Sequence, residues 1–162
     1  MDYKLLSIII SASVAIFIAV LNHFIITPIK DKRNRQREQL KNLYAPLYNL
    51  LSYNILILKD ASIRQKEILL GYVQSDKNNY KSKDYLEEFM LQRAGYCSDE
   101  LMEVWTKFTT YNISPENGIS SRLVKTVVKE YNKIKKELNM GYNKEELSTG
   151  IPECIKELRE EI

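Results

Sequence analysis

The chain offers few residues equipped for chemistry. Its single histidine, His23, sits with Asn22 in LNHFIITPI, toward the end of an apolar run. An ionisable side chain in such a run would serve proton or ligand chemistry if a partner faced it. The sequence shows no partner, and at that depth an imidazole reaches the interface, so interfacial or helix-contact duty is the expected role. With no histidine after His23, Ser-His and Cys-His nucleophile pairs and His-rich metal sites are excluded from the rest of the chain. Cys97 and Cys154 are far apart, match no metal or redox spacing, and read as idle thiols in a reducing compartment.

Carboxylates recur at helical spacing, Asp84 with Glu87 and Glu88, and Asp99 with Glu103. A di-metal bundle site would add Glu-x-x-His pairs, which the sequence lacks, so these pairs read as solvated surface. Gly71, Gly95, Gly118, Gly141 and Gly150 are scattered, and no phosphate-cradling loop can be drawn through them. The expectation is a protein that is not an enzyme, with no catalytic, cofactor or metal residues.

Association is the chemistry that the spacing favours. Ser7, Ser11, Ala15 and Ala19 are four apart, and His23 and Thr27 continue the series. Residues four apart share a helix face, and small side chains there let two membrane helices approach closely. A homodimer, or pairing with another membrane protein, is expected through Ser7, Ser11, Ala15, Ala19 and His23. A second set follows at once. Lys30, Lys32, Arg33, Arg35, Arg37 and Lys41 face only Asp31 and Glu38, six charges against two, a net of +4. Lys30, Lys32, Arg33, Arg35 and Arg37 are the expected contacts to anionic lipid. Nucleic acid is the weaker partner, because the cluster lacks interleaved aromatics and matches no DNA-reading motif.

The elements that carry these sets follow from hydropathy. Residues 5–29 contain no Asp, Glu, Lys or Arg, and a spanning helix needs about 20 apolar residues. A cleaved signal would want a positive n-region and a small-residue site after the apolar run. Here Asp2 and Lys4 cancel, and SASVA lies inside the run. An uncleaved anchor is therefore expected, with residues 1–4 outside, residues 5–29 spanning, and the basic segment 30–41 in the cytosol. Pro28 should kink or end the span.

Beyond the basic segment, about 120 residues can bury a core without disulfides or metals. The run LKNLYAPLYNLLSYNILIL has helical periodicity, interrupted at Pro46, and should continue toward Leu69 and Leu70. Residues 75–84 read as a loop, 83–94 as a helix ending near Gly95. Ser98 is the expected N-cap of the next helix, with Asp99 and Glu100 complementing the dipole. That helix carries Leu101, Val104, Trp105 and Phe108 on one face. Residues 112–121 form a connector, and the glycosylation sequon at Asn112 is discounted by cytosolic placement and Pro115. The helix 121–139 is amphipathic. Leu123, Val124, Val127, Tyr131, Ile134 and Leu138 face inward, and Arg122, Lys125, Lys129, Lys133 and Lys136 outward, toward solvent, anionic lipid or an acidic partner. Gly141 should end it, and Pro152 should open a last short helix.

The expected fold class is all-α: one N-terminal transmembrane helix and a cytosolic bundle of about four to five helices. The expected layout is a helical domain over 42–142 and an acidic helical tail over 143–162. The expected function is a membrane-anchored, non-catalytic interaction module, adaptor, regulatory or structural, in the inner or plasma membrane, with an unknown protein partner. The alternative is a membrane-active holin-like protein, toxin or exclusion factor of a phage or mobile element. Richness in Lys, Ile, Asn and Tyr suits an AT-rich bacterial or phage gene.

Overall fold

A computed structural model describes residues 3–73, 79–80, 82–110 and 118–159. Those residues are helical or in turns and loops, with no strand among them. Most of the expected connector with its sequon, residues 75–78 and 81 of the 75–84 loop, and the last three residues of the tail lie outside them. The chain divides into two compact units, Met1–Arg37 and Glu38–Ile162.

In the first unit, α1 (Tyr3–Leu21) is followed by a π turn, Asn22–Ile26, and by α2 (Thr27–Gln39), whose last residues enter the second unit. The helical run beginning at Ile10 contains an 18-residue window of mean hydropathy 2.0, with none of it buried. One N-terminal helix is thus long and apolar enough to cross a membrane. Pro28 does not end it. The Thr27 N–H reaches back five residues to the Asn22 carbonyl, and the Thr27 hydroxyl donates to the same oxygen at 2.9 Å. A proline ring clashes with the carbonyl four residues back. A turn widened by one residue moves that carbonyl aside, and the helix continues.

The second unit uses the same device. A π turn at Leu40–Tyr44 precedes Pro46, which sits in the first turn of α3 (Ala45–Ile57), and the Ala45 N–H bonds the Leu40 carbonyl. The interruption expected at Pro46 is this wide turn. Further on, α3 stops at Ile57 rather than running to Leu70. Leu58 leaves helical geometry, α4 (Lys59–Gln65) restarts, and Lys66 ends it in the left-handed region at φ 56°. The chain then folds back, and the Gly71 N–H bonds the Asn54 carbonyl at 2.9 Å. A Cβ on Gly71 would lie 2.7 Å from the Ile57 side chain, so this close return requires glycine.

Ser82 caps α5 (Lys83–Gln92) by accepting from the Tyr85 N–H. Ser98 caps α6 (Asp99–Thr110) as its sequence position suggests, accepting from the Leu101 N–H at 3.0 Å. The next helix, α7 (Ile119–Glu137), starts two residues before Ser121. Ser121 instead accepts the Ile68 N–H at 2.8 Å, which ties the returning segment to α7. The stop of α7 is also not at the expected glycine. Asn139 adopts φ 58°, its N–H bonds the Lys136 carbonyl, and the Met140 N–H bonds that of Lys135. This pair of bonds is the Schellman pattern, with asparagine in the left-handed position.

Helix α8 (Lys144–Thr149) and the 3-10 turns of Glu153–Arg159 complete the unit. They pack rather than project: Ile151, Ile155 and Leu158 join the same core as Leu43, Leu47, Leu51, Val104, Val124 and Val127. At the centre, α7 packs against α3, α6, α8 and the second π turn. Its buried face is accordingly wider than one stripe, and takes in Ile119, Thr126, Val128 and Asn132 as well as the expected residues. Tyr131 and Leu138 are only partly buried.

Candidate functional site

Two carboxylates are drawn into the second unit. Glu146, on α8, is buried, and among the described residues no ion pair reaches it. Its Oε1 accepts from the Tyr48 hydroxyl at 2.7 Å and the Glu153 N–H at 2.8 Å, and its Oε2 from Asn132 Nδ2 at 2.8 Å. Asn132 Nδ2 also donates to the Val128 carbonyl, and its Oδ1 accepts from the Asn143 N–H. Asn143 in turn caps α8 by accepting from the Glu145 and Glu146 N–H groups. The Tyr48 ring stacks on Tyr131 with centroids 4.6 Å apart. Burial, then the Glu146 carboxylate, push the Tyr48 hydroxyl well above its usual range. Both Glu146 oxygens are engaged by these donors, so the cluster ties α3, α7 and α8 together.

The second carboxylate, Glu130, accepts from the Ser98 hydroxyl at 2.5 Å, while its Oε2 is buried without a hydrogen-bond partner. Burial raises its carboxyl above the usual 4.5, against the opposing hydrogen bonding of Ser98 and Tyr44. The Tyr44 phenol rises for the same primary reason, its own burial. The neighbouring Cys97 thiol is pushed up to about 11 by burial and by Glu130. Cys154 is raised as well, chiefly by burial. Thiols held protonated in this way are poor nucleophiles and metal ligands.

Above Glu130, a groove of about 580 Å³ runs along α7, walled by Arg122, Lys125, Lys129 and Lys133, with Glu100 of α6 and Leu147 of α8 on its other sides. Four of the five cations expected on the outer face of this helix therefore share one concave surface. The carboxylate pairs read from the sequence are spent locally instead. Glu87 meets Lys83 at 3.5 Å, and Glu103 meets Lys107 at 2.7 Å. Among the described residues, no three His, Cys, Asp or Glu side chains gather as metal ligands. Trp105 is core, packed against Phe108 with ring centroids 5.6 Å apart.

In the first unit, Ser7, Ser11, Ala15 and Ala19 are exposed along α1. His23 is exposed within the π turn and meets the Phe24 ring edge-on at 5.0 Å. Lys30, Lys32, Arg33, Arg35 and Arg37 are all exposed on α2. At about 100° per residue they are spread around the helix rather than along one side.

Sequence reasoning missed Glu146, Asn132, Tyr48 and Glu130. One signal was present. Leu147, Ile151, Ile155 and Leu158 recur at three to four residues, an apolar stripe that brings its polar neighbours inward with it. No protein-family model matches the chain, and neither a curated protein nor a solved structure matches it.

Proposed function

We propose that the chain is a single-pass membrane protein whose helical unit works in the cytosol as a non-catalytic interaction module of an adaptor, regulatory or structural kind. The observation that carries this reading is the bare apolar helix. Ile16, Phe17 and Phe24 leave 65%, 64% and 70% of their surface open. In water such surface costs about 25 cal/mol per Å², and a hydrocarbon core removes the cost.

The basic tract supports the orientation. From Lys30 to Arg37 the helix rises about 10 Å, comparable to the depth of a headgroup layer. Cations spread around the helix suit an axis passing through that layer, with the positive side retained in the cytosol. The face of Ser7, Ser11, Ala15, Ala19 and His23 supports pairing of two anchors. In the helical unit, protonated thiols and a carboxylate engaged by three donors favour binding over catalysis. The bundle then supplies surfaces, and confinement to the membrane raises the effective concentration of even weak partners.

The test is fractionation and protease protection of the full chain carrying a C-terminal tag. The chain should resist alkaline extraction from membranes, and the tag should be digested only from the cytosolic face. Recovery in the soluble fraction refutes the anchor, and digestion from outside refutes the orientation. Crosslinking in intact cells should yield a specific second protein. Self-crosslinks alone, through Ala15 and Ala19, with depolarisation that Ala15→Ile abolishes, would move the conclusion to a membrane-active protein.

A further inference from the structure

The groove along α7 carries more positive charge than the described residues of the unit pair with. Arg122, Lys125, Lys129 and Lys133 line it, against Glu100 and Glu130. Among the described residues, Arg122 has a long contact, 3.7 Å, with Glu103. Among the described residues, Lys125, Lys129 and Lys133 enter no ion pair. Glu130 also lines the groove, with Oε1 held by Ser98 and Oε2 buried, and Lys133 acts on its carboxyl electrostatically.

We infer that this groove is the docking surface for an extended acidic segment of a partner polypeptide, with carboxylates at alternate positions facing Lys125, Lys129 and Lys133. The inference rests on the reading of this unit as an interaction module.

Charge complementarity gives the sign of the occupant. Its shape follows from the groove. The lining residues run from Gly118 to Lys133, about 22 Å of helix axis. An extended chain laid along that length meets Lys125, Lys129 and Lys133 in turn. A flat headgroup surface would rest on the rims without filling it. Register agrees as well. Lysines four apart on a helix rise about 6 Å per step. Alternate side chains of an extended chain repeat every 6.6 Å or so, a difference that flexible lysine stems absorb.

The test uses the full chain in nanodiscs of zwitterionic lipid and follows the anisotropy of a fluorescein-labelled peptide with Glu at every second position and Ser between. Reversal of the groove, Lys125→Glu with Lys129→Glu and Lys133→Glu, should weaken binding about tenfold or more, by loss of charge complementarity. An equal reversal in the basic tract, Lys32→Glu with Arg33→Glu and Arg35→Glu, should change it less than about twofold. Unchanged emission from Trp105, buried in the core, confirms that each variant is folded. Equal losses in both sets would reduce the effect to bulk charge and overturn the proposal. Equally tight binding of a peptide with Glu at every fourth position would overturn it too, as would displacement by phosphatidylserine vesicles that depends on the groove lysines.

A photoreactive residue at position 129, and another at Leu91, which is exposed outside the groove, separate the two levels of failure in cells. Crosslinks to a second protein at 129 support the docking surface. Crosslinks at 91 and none at 129 refute it and leave the interaction module standing. None at either position refutes both.

Discussion

Removing the Glu146 carboxylate tests whether this buried group holds the helical unit together. Glu146→Ala strips the acceptor from three donors at once: the Tyr48 hydroxyl, the Asn132 amide and the Glu153 N–H. A buried donor left unpaired costs about 1–3 kcal/mol. Water entering the vacated space recovers part of this, and the desolvation penalty of the carboxylate disappears with it. The expected net loss is about 3–4 kcal/mol, a large fraction of the 5–15 kcal/mol typical of a domain. For a unit of about 125 residues, each kcal/mol moves the melting temperature by about 3–5 °C, so a fall of about 10–15 °C is expected.

Two further variants sharpen the reasoning. Glu146→Gln keeps one acceptor oxygen but sets its amide nitrogen against Asn132 Nδ2. Asn132 cannot rotate to accept without losing its bonds to the Val128 carbonyl and the Asn143 N–H. That variant should lose about 2 kcal/mol. Tyr48→Phe removes only one donor and leaves Oε1 bonded to the Glu153 N–H, at a cost of about 1 kcal/mol. The assay is thermal and urea unfolding of the full chain in detergent micelles, read from Trp105, the only tryptophan. If Glu146→Ala is no less stable than Tyr48→Phe, the buried carboxylate does not organise the unit and the reasoning fails.

Three other outcomes follow from single sites. Gly150 has φ 74°, and a Cβ there would lie 2.8 Å from Lys125 Cβ and 2.9 Å from its Cα. Left-handed strain and overpacking together should make Gly150→Ala about 3 kcal/mol less stable, read from the urea midpoint. Asn54 is fully buried, and neither side-chain amide atom has a hydrogen-bond partner. Asn54→Leu should therefore raise stability by about 1–2 kcal/mol, and a lower melting temperature would contradict this. Burial holds the Glu130 carboxyl above 4.5, so the folded state binds its proton more tightly than the unfolded state. This group therefore costs stability as pH rises from 4.5 through the folded pKa. The melting temperature of Glu130→Gln, relative to the parent, should rise over that window and level off above it.

Several features of the helical unit were legible because they are local. The Ser98 cap needs only its own side chain and the N–H three residues on, and it lies where the sequence put it. The alternation of Leu101, Val104, Trp105 and Phe108 places one face of α6 in the core, as 3.6 residues per turn requires. Helix ends were less legible. Gly141 was the obvious stop for α7, yet Asn139 takes the left-handed position two residues earlier. Asparagine adopts that region more readily than other residues with a side chain, and the packing of the segment leading to α8 decides between them. Likewise α3 stops at Ile57 because the chain must return to Asn54 and Ser121, contacts that local periodicity does not encode.

By itself the sequence determined the uncharged run over 5–29, the basic tract behind it and the helical character of the remainder. Each depends on hydropathy and periodicity over one or a few turns. Only the tertiary structure decided which polar groups go inside and which cations share a groove. Tyr48 and Glu146 are 98 residues apart in the chain. An acidic residue in a charged tail carries no local sign that a phenol, an amide and a backbone N–H will surround it. Burying a carboxylate is favourable only once those donors are already in place, and the packing of α3, α7 and α8 is what brings them together.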